Sequence, residues 1–245
     1  MRLLYVFPHP DDESFGPAAA IARQRRDGHE VRLLTLTRGG ATKRRHELGL
    51  SVEEMGAVRE LEMRRMAEAL GLDGLEVLDL PDSGLAELDP RVIEGVVDEA
   101  IERLAPDVVV SYPVHGISGF ADHLVTHAVV KRVVCDRWAR QDAAGEPRVP
   151  RRLAFVTLAE APDDGRRIPL TASKPEAIDV VEAVSDADLD RQRAALACYA
   201  TYAAVIDELD PMSVHGREIV FEVFGEVHDP PLSWVGAGLD EAREE

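Results

Sequence analysis

The unit that decides the fold is LLYVFPHPDDESFGPAAAIARQRRDGHEVRLLTLT, residues 3–37. It begins with the apolar run Leu3–Phe7, which predicts a strand that is buried on both faces, as in a parallel sheet. A helix is predicted from Pro17 to Arg26, because proline favours a helix start and Gly28 follows the end. The apolar run Val31–Thr37 predicts the next strand. Strand, helix and strand in this order form the repeating unit of α/β sheets.

The same alternation continues along the rest of the chain. Ser51 and Glu54 have the spacing of a capping box, which predicts a helix that ends at Leu70, before Gly71. Further strands are predicted at residues 75–80, 107–112, 153–159, 178–184 and 218–224, and further helices at 90–104, 122–140 and 186–206. We therefore predict one domain over residues 1–245, a Rossmann-like, doubly wound and mostly parallel α/β sheet with helices on both faces and a mixed C-terminal part. Residues 240–245 are expected to form a loose, solvated tail.

The composition limits the class of protein. The chain has 245 residues, 45% of them hydrophobic and 30% charged, so it can bury a core and is not expected to be disordered. Its two cysteines exclude a disulfide framework and any CxxC site. No apolar run reaches the roughly 18 residues of a membrane helix, and the N-terminal run is too short for a signal peptide. A cytoplasmic location is the resulting expectation.

The charge balance limits the partners. There are 28 basic and 46 acidic residues, which give a formal net charge of −18. Nucleic acid and membrane are therefore not expected as partners, because both bind basic surfaces. The negative charge indicates either solubility or a salt-rich cytoplasm, and the sequence leaves both open. It also leaves a homo-oligomer open.

Residues suited to metal chemistry directly follow the first strand. His9, Asp11 and Asp12 lie in the string PHPDDE, residues 8–13, whose prolines stiffen the backbone. Imidazole nitrogen and carboxylate oxygen are ligands that suit Zn²⁺. Adjacent residues in an extended loop point in opposite directions, so one aspartate can bind a metal while the other faces its bound water. The alternative is an acidic loop that merely favours a helix N-terminus.

A second motif lies after the fourth predicted strand. His123 and His127 are four residues apart and share one helical face. We predict His123 as a metal ligand and His127 as a packing or supporting residue. A ligating imidazole needs a partner for its other N–H, which Asp122 or a backbone carbonyl could provide. Ligands in such folds bind beyond the carboxyl ends of the strands, where both motifs are expected.

These motifs resemble those of the zinc-dependent N-acetylglucosaminyl deacetylases, the PIG-L or LmbE-like family. The family includes the GlcNAc-phosphatidylinositol, mycothiol-pathway and bacillithiol-pathway deacetylases. The resemblance rests on PHPDDE at 8–13, DH at 122–123, TRG at 37–39 and the stretch from Arg59 and Glu62 to Gly71, and it covers residues 1–140 well. The string VFPHPDDESFG and the Tyr112-Pro-x-His115-Gly pattern look most like the bacillithiol branch.

The resemblance implies a metal-dependent amidohydrolase that removes acetyl from a small N-acetylglucosaminyl conjugate, such as the bacillithiol intermediate. It implies that His9, Asp12 and His123 bind one Zn²⁺ per chain. Asp11 would be the general base on zinc-bound water. This agrees with physical expectation, since zinc lowers the pKa of its water and a positioned base contributes about 10²–10⁴-fold in rate.

One position departs from the family pattern. The family usually reads His-Pro-Asp-His before the helix, whereas this chain has Phe120 at the first position. That histidine is understood to stabilise the oxyanion, and phenylalanine cannot donate a hydrogen bond. We predict that His115 replaces it, so His115 and Asp122 join Asp11 in the predicted catalytic set. The alternatives are that zinc acts alone, or that the chain is a metal-binding, non-catalytic, sugar-binding relative.

Basic residues follow the second predicted strand. Arg38 and the run Lys43–Arg45 precede the capped helix, and Arg59 lies within it. They could hold an anionic part of a substrate through charge-assisted hydrogen bonds, and a solvated basic face is the alternative. Arg38 and Arg59 are the predicted substrate-binding residues. The glycines of a dinucleotide-binding loop are absent after the first strand, which excludes a nucleotide-binding Rossmann protein.

Overall fold

The structure is a computed structural model that describes residues 1–162, residue 165 and residues 168–239, so the predicted tail at 240–245 lies outside the described residues. The strands are β1 (Arg2–Phe7), β2 (Glu30–Thr37), β3 (Gly74–Leu80), β4 (Val108–Ser111), β5 (Arg152–Thr157), β6 (Val180–Ala183) and β7 (Glu218–Val223). The α-helices are α1 (Asp12–Phe15), α2 (Ala18–Arg26), α3 (Arg44–Glu47), α4 (Val52–Leu70), α5 (Pro90–Leu104), α6 (Ala121–Ala144), α7 (Asp186–Ala197), α8 (Ala203–Leu209) and α9 (Pro211–His215).

These strands form one sheet in the order β3-β2-β1-β4-β5-β7-β6. The ladders from β3 through β5 are parallel, whereas β7 is antiparallel to both β5 and β6. The predicted α/β class, the parallel sheet and the mixed C-terminal part are therefore confirmed. The strand order runs outward in both directions from β1 and β4, which is the switch point where α/β sheets bind ligands.

The sheet carries helices on both faces because its central strands are apolar on both faces. Leu3, Tyr5 and Phe7 belong to a core cluster with residues of α2, α4 and α7. Leu4 and Val6 belong to a second cluster with residues of α5 and α6. Successive side chains of a strand point to opposite faces, so this single run supports both layers.

The capping box positions the helix that reaches the site. The Ser51 side chain accepts a hydrogen bond from the Glu54 N–H, and the Glu54 carboxylate accepts one from the Ser51 N–H. Gly71 ends α4 in the left-handed region, with φ 70°. Both predicted ends of α4 are confirmed, which sets the position of Arg59 along the helix.

The predicted helix over residues 186–206 is interrupted, because α7 ends at Ala197 and α8 begins only at Ala203. The Glu62 carboxylate accepts hydrogen bonds from the N–H and the hydroxyl of Thr201, at 2.8 and 2.7 Å. Tyr199 is fully buried and turns inward from the break. Tertiary contacts therefore override the local helical pattern. The sequence also missed α1, which begins within the PHPDDE string at Asp12 and precedes α2.

No helix in the described ranges is long and apolar enough to cross a membrane.

Candidate active site

The loop after β1 folds back on itself. The backbone N–H of His9 donates to Asp12 Oδ2 at 2.8 Å, which returns Asp12 toward the histidine. Asp11 between them has a φ of 84°, in the left-handed region that few residues other than glycine adopt. Thr37, at the end of β2, holds the carbonyl of Pro8 through its N–H and its hydroxyl. This turn of the backbone places Asp12 beside His9 and directs Asp11 elsewhere.

The structure brings His9, Asp12 and His123 together. One potential ligand atom of each lies within 4.8 Å of the others. His123 Nε2 is 3.4 Å from Asp12 Oδ1, and His9 Nδ1 is 3.7 Å from Asp12 Oδ2. The Tyr112 hydroxyl donates to Asp12 Oδ1 at 2.7 Å and keeps that carboxylate in place. Two imidazoles and one carboxylate form a donor set that fits Zn²⁺ and leaves room for a further ligand.

Asp122 holds His9, from the far side of the ring. Asp122 Oδ2 lies 3.1 Å from His9 Nε2, so this nitrogen carries the proton and Nδ1 is left free toward Asp12. The Asp122 carboxylate also accepts hydrogen bonds from the N–H groups of Ser83, at 2.8 Å, and Leu85, at 3.2 Å. Burial lowers the pKa of His9, but the hydrogen bond with Asp122 and the charges of the neighbouring carboxylates outweigh burial, and the pKa is raised overall. Asp122 is buried and supports His9, a candidate ligand.

A backbone carbonyl holds the other histidine. Gly116 O lies 2.9 Å from His123 Nδ1, which leaves Nε2 facing Asp12. Gly116 has a φ of 64°, and a Cβ built there would lie 2.9 Å from the His123 Cβ. Glycine is therefore required at this position on two counts. Ser118 Oγ lies 3.2 Å from the same Nδ1, so a hydroxyl shares this nitrogen with the carbonyl. Of the two partners that the sequence left open, Asp122 and a backbone carbonyl, the carbonyl holds His123.

A second group of potential ligands shares His9 with the first. It combines His9 with Asp82 and Asp122. Asp82 Oδ1 is 3.4 Å from His9 Nε2, and Asp82 Oδ2 accepts a hydrogen bond from the Ala41 N–H at 2.6 Å. Because Nε2 already faces Asp122, a proton on this nitrogen explains both contacts. In the first group, His9 Nδ1 and His123 Nε2 are both free to face Asp12, so this group fits a metal better.

Asp11 is paired with Arg59. The Arg59 Nη2 donates to Asp11 Oδ2 at 2.5 Å and to the carbonyl of Pro10 at 2.8 Å. The guanidinium also lies 4.0 Å above the ring of Tyr202 and is only 2% exposed. Burial raises the pKa of Asp11 to about 6, and the charge of Arg59 opposes this rise. The result is a carboxyl group that can exchange a proton near neutral pH.

A family model described as GlcNAc-PI de-N-acetylase, PIG-L, matches residues 4–134. The chain belongs to the PIG-L family. A 1D-myo-inositol 2-acetamido-2-deoxy-alpha-D-glucopyranoside deacetylase of Mycobacterium sp. (strain KMS) is 35% identical over 153 residues, which cover 54% of this chain and 50% of the relative. The enzyme of the same name from Rhodococcus jostii (strain RHA1) is 31% identical over 240 residues, which cover 83% and 82%.

The fold is shared with a solved structure of the conserved protein TT1542 from Thermus thermophilus. The TM-score is 0.64 at 24% identity, with 96% of this chain and 98% of that chain covered. This PIG-L chain spans about half the length of the first curated relatives it matches. The resemblance found in the sequence is confirmed at the level of the family.

Arg59 and Arg38 have different partners in this PIG-L chain. Arg59 donates to oxygens of its own chain, including Gly39 O at 3.2 Å, so its first role is to hold the loop and Asp11. Arg38 forms ion pairs with Glu60, at 3.2 Å, and Asp79, at 3.6 Å. Substrate binding by either arginine stays a prediction.

His115 precedes the candidate ligand His123 on the loop after β4 but faces a different partner. Its Nε2 is 3.1 Å from Ser173 Oγ, and its Nδ1 accepts a hydrogen bond from the Ile117 N–H at 3.2 Å. Phe120, which replaces the family histidine, packs edge-on against the His123 ring at 5.5 Å and is 48% exposed. With both ring nitrogens engaged, His115 has no free donor for an oxyanion in this arrangement. Its catalytic role stays a prediction.

His127 is buried below the site. Its Nδ1 lies 2.9 Å from Tyr112 O, and its ring contacts that of Phe155 at 4.6 Å. This placement agrees with the predicted packing role.

Sequence reasoning missed Glu13 and its contact with Tyr199, which support the loop from behind. Glu13 Oε1 accepts hydrogen bonds from Ser14 Oγ and Tyr199 Oη, both at 2.6 Å. Burial raises the pKa of Glu13 to about 7. Glu13 could have been found from its position within PHPDDE. Its contact with Tyr199 could not, because the two residues are 186 positions apart and no local pattern indicates the contact.

Proposed function

We propose that this PIG-L chain is a zinc-dependent amidohydrolase that removes the acetyl group from an N-acetylglucosaminyl conjugate. The observation that carries the proposal is the convergence of His9, Asp12 and His123, with Asp11 beside them on the same loop. The names of the curated relatives support an N-acetylglucosaminyl substrate. One Zn²⁺ per chain, held by these three residues, is part of the proposal.

The metal, when bound, would polarise the amide carbonyl and make water a better nucleophile at neutral pH. Asp11 takes the proton of the attacking water and returns it to the departing amine. Its pKa of about 6 suits both transfers, because a group near its pKa can accept and donate a proton. Arg59 directs the carboxylate by binding one oxygen, Oδ2.

Asp122 and Gly116 set which ring nitrogens are free. Asp122 holds the Nε2 proton of His9, and the Gly116 carbonyl holds the Nδ1 proton of His123. Removal of such supporting partners typically costs about 10–100-fold in metal affinity or activity. This arrangement supports a working metal centre.

The group attached to the N-acetylglucosaminyl unit has two candidates. The relatives' name favours an inositol glycoside, whereas the Tyr112-Pro pattern favours the bacillithiol intermediate. Arg38 and Arg59 are the candidate substrate contacts, and a cytoplasmic location is the expected setting. The competing proposal is a metal-binding, non-catalytic, sugar-binding relative, which the exposed Phe120 favours.

The test is an assay of free amine after incubation of the zinc-loaded protein with a panel of conjugates. The panel contains the inositol glycoside, the bacillithiol intermediate and N,N'-diacetylchitobiose, and metal content is measured on the same samples. We expect amine release from at least one conjugate, and its loss together with the metal in His123→Ala. Sugar binding without amine release from any conjugate would favour the non-catalytic relative.

A further inference from the structure

A polar cluster lies beside the loop that follows β4, on the side away from the metal ligands. Ser173 Oγ is its centre, 2.6 Å from Thr157 Oγ1 and 3.1 Å from His115 Nε2, and it also hydrogen-bonds the Glu222 carboxylate. Thr157 is fully buried and Ser173 is 8% exposed. The cluster joins the ends of β5 and β7 to the loop.

The donors and acceptors of this cluster can be assigned from chemistry. The Ile117 N–H donates to His115 Nδ1, so the ring proton lies on Nε2 and points to Ser173. Burial lowers the pKa of His115, although Glu222 opposes this, and the ring is therefore neutral at neutral pH. A hydroxyl donates once and accepts twice, so Ser173 accepts from His115 and Thr157 and donates to Glu222.

The loop between this cluster and the metal ligands is fastened on both sides of Gly116. His115 is held by Ser173, and the carbonyl of Ile117 accepts a hydrogen bond from the Thr171 N–H at 2.8 Å. The Gly116 carbonyl between them lies 2.9 Å from His123 Nδ1. Hydrogen bonds therefore connect β7 to His115, and the backbone from His115 to the Gly116 carbonyl carries the connection on to a candidate metal ligand.

We propose that Ser173 and Glu222 are positioning residues for His123. They fix His115, which fixes the Gly116 carbonyl, and this carbonyl keeps the proton of His123 on Nδ1 and Nε2 free. The proposal rests on the proposed function only in that His123 binds the metal. It assigns a role in the site to the C-terminal part of the chain, beyond the residues that the family model matches.

The test compares Ser173→Ala, which removes the hydroxyl, with Ser173→Thr, which keeps it. The first readout is the nitrogen-15 NMR signal of the His123 ring in metal-free protein, which reports which nitrogen carries the proton. The second is zinc affinity from competition with a chelator. We expect Ser173→Ala to mix the two ring tautomers and to weaken zinc binding by about tenfold.

Further variants separate positioning from general stability. Glu222→Leu removes the acceptor of the Ser173 hydroxyl and is expected to weaken zinc binding by about tenfold, whereas Glu222→Gln keeps an acceptor and should stay within about threefold of the wild type. Ser185→Ala removes a serine that bonds a carboxylate at the N-cap of α7, remote from the loop in sequence. It should lower the melting temperature without changing the His123 signal or zinc affinity.

Wild-type zinc affinity and an unchanged His123 signal in Ser173→Ala would overturn the proposal. So would a fall in kcat alone in His115→Ala, because that pattern belongs to a direct catalytic donor. Failure of the proposed function is a separate result, since the His123 NMR signal and the zinc affinity are both measured without a substrate. Loss of the tautomer preference in Ser173→Ala, restored in Ser173→Thr, would support the proposal.

Discussion

At the scale of single residues, two neighbouring aspartates have opposite electrostatic surroundings. Burial raises the pKa of Asp11 to about 6, since Arg59 compensates only in part. Burial acts in the same direction on Asp12, but His123, His9 and the Tyr112 hydroxyl outweigh it and lower its pKa. One carboxylate is therefore suited to bind a cation and the other to exchange a proton.

Asp11→Asn tests this division. We expect the variant to bind zinc normally and to lose about 10²–10⁴-fold in kcat, because the amide cannot accept a proton. Asp12→Asn is the matched change at the next position and should lose both zinc and turnover. Metal content and kcat are measured on the same preparations. Release of zinc by Asp11→Asn, with retention by Asp12→Asn, would reverse the two roles.

Phe120→His tests the position that departs from the family. The ring of Phe120 lies against His123, so histidine there would bring a donor to the edge of the site. One oxyanion donor is worth about 10²–10³ in rate, and we expect kcat to rise by at least about tenfold with little change in KM. Phe120→Leu, which adds no donor, is the control. An equal kcat in both variants would mean that no donor is missing.

At the scale of elements, the loop after β4 depends on its glycines in different ways. Gly116 and Gly119 both have positive φ angles, of 64° and 70°. A Cβ on Gly116 would lie 2.9 Å from the His123 Cβ, whereas one on Gly119 has no atom within 4 Å. A substitution would thus strain the backbone similarly at the two positions, but only a side chain at position 116 would contact the candidate metal ligand His123.

Gly116→Ala and Gly119→Ala form a matched pair. Each is expected to cost about 1–2 kcal/mol of stability, because alanine is strained in the left-handed region. Only Gly116→Ala should also weaken zinc binding, by about tenfold or more, since His123 must move. Melting temperature and chelator competition measure the two effects. Equal zinc affinity in the two variants would contradict the role of the Gly116 carbonyl.

At the scale of the whole molecule, a buried carboxyl group far from the site affects stability. Glu182 on β6 is fully buried and accepts hydrogen bonds from Gln24 Nε2 at 3.3 Å. Burial raises its pKa from 4.5 to about 7, and Arg23 opposes this rise. The folded state therefore favours the protonated form more than the unfolded state does. The corresponding stability is complete below pH 4.5 and is lost as the pH rises through about 7.

Glu182→Gln should remove this pH dependence. At about pH 8 the variant is expected to unfold at a higher temperature than the wild type, by an amount equivalent to at most about 3 kcal/mol. At about pH 4 the two should have similar stability. Glu218→Gln, an exposed change on the neighbouring strand β7, is the control. The prediction would be contradicted if the difference in stability between the wild type and Glu182→Gln were the same at both pH values.

Local patterns determined the elements and the chemistry of the first loop. Periodicity and caps suffice for α4 and α5, because a helix start depends on residues three or four apart, such as Ser51 and Glu54. The PHPDDE string follows β1 directly, so its candidate ligands and their place at the sheet edge could be predicted together. The end of α7 could not, since the contact of Glu62 with Thr201 that breaks the helical pattern spans 139 residues.

Only the tertiary structure decided which partner each functional group has. Asp122 adjoins His123 in the chain but holds His9, 113 residues away, because β1 and β4 are neighbours in the sheet. Arg59 faces Asp11 because α4 packs over the loop, 48 residues distant. His115, predicted as a catalytic donor, faces Ser173 across the end of β5. Residue type and spacing determine what a group can do, whereas strand order and helix packing determine which group it meets.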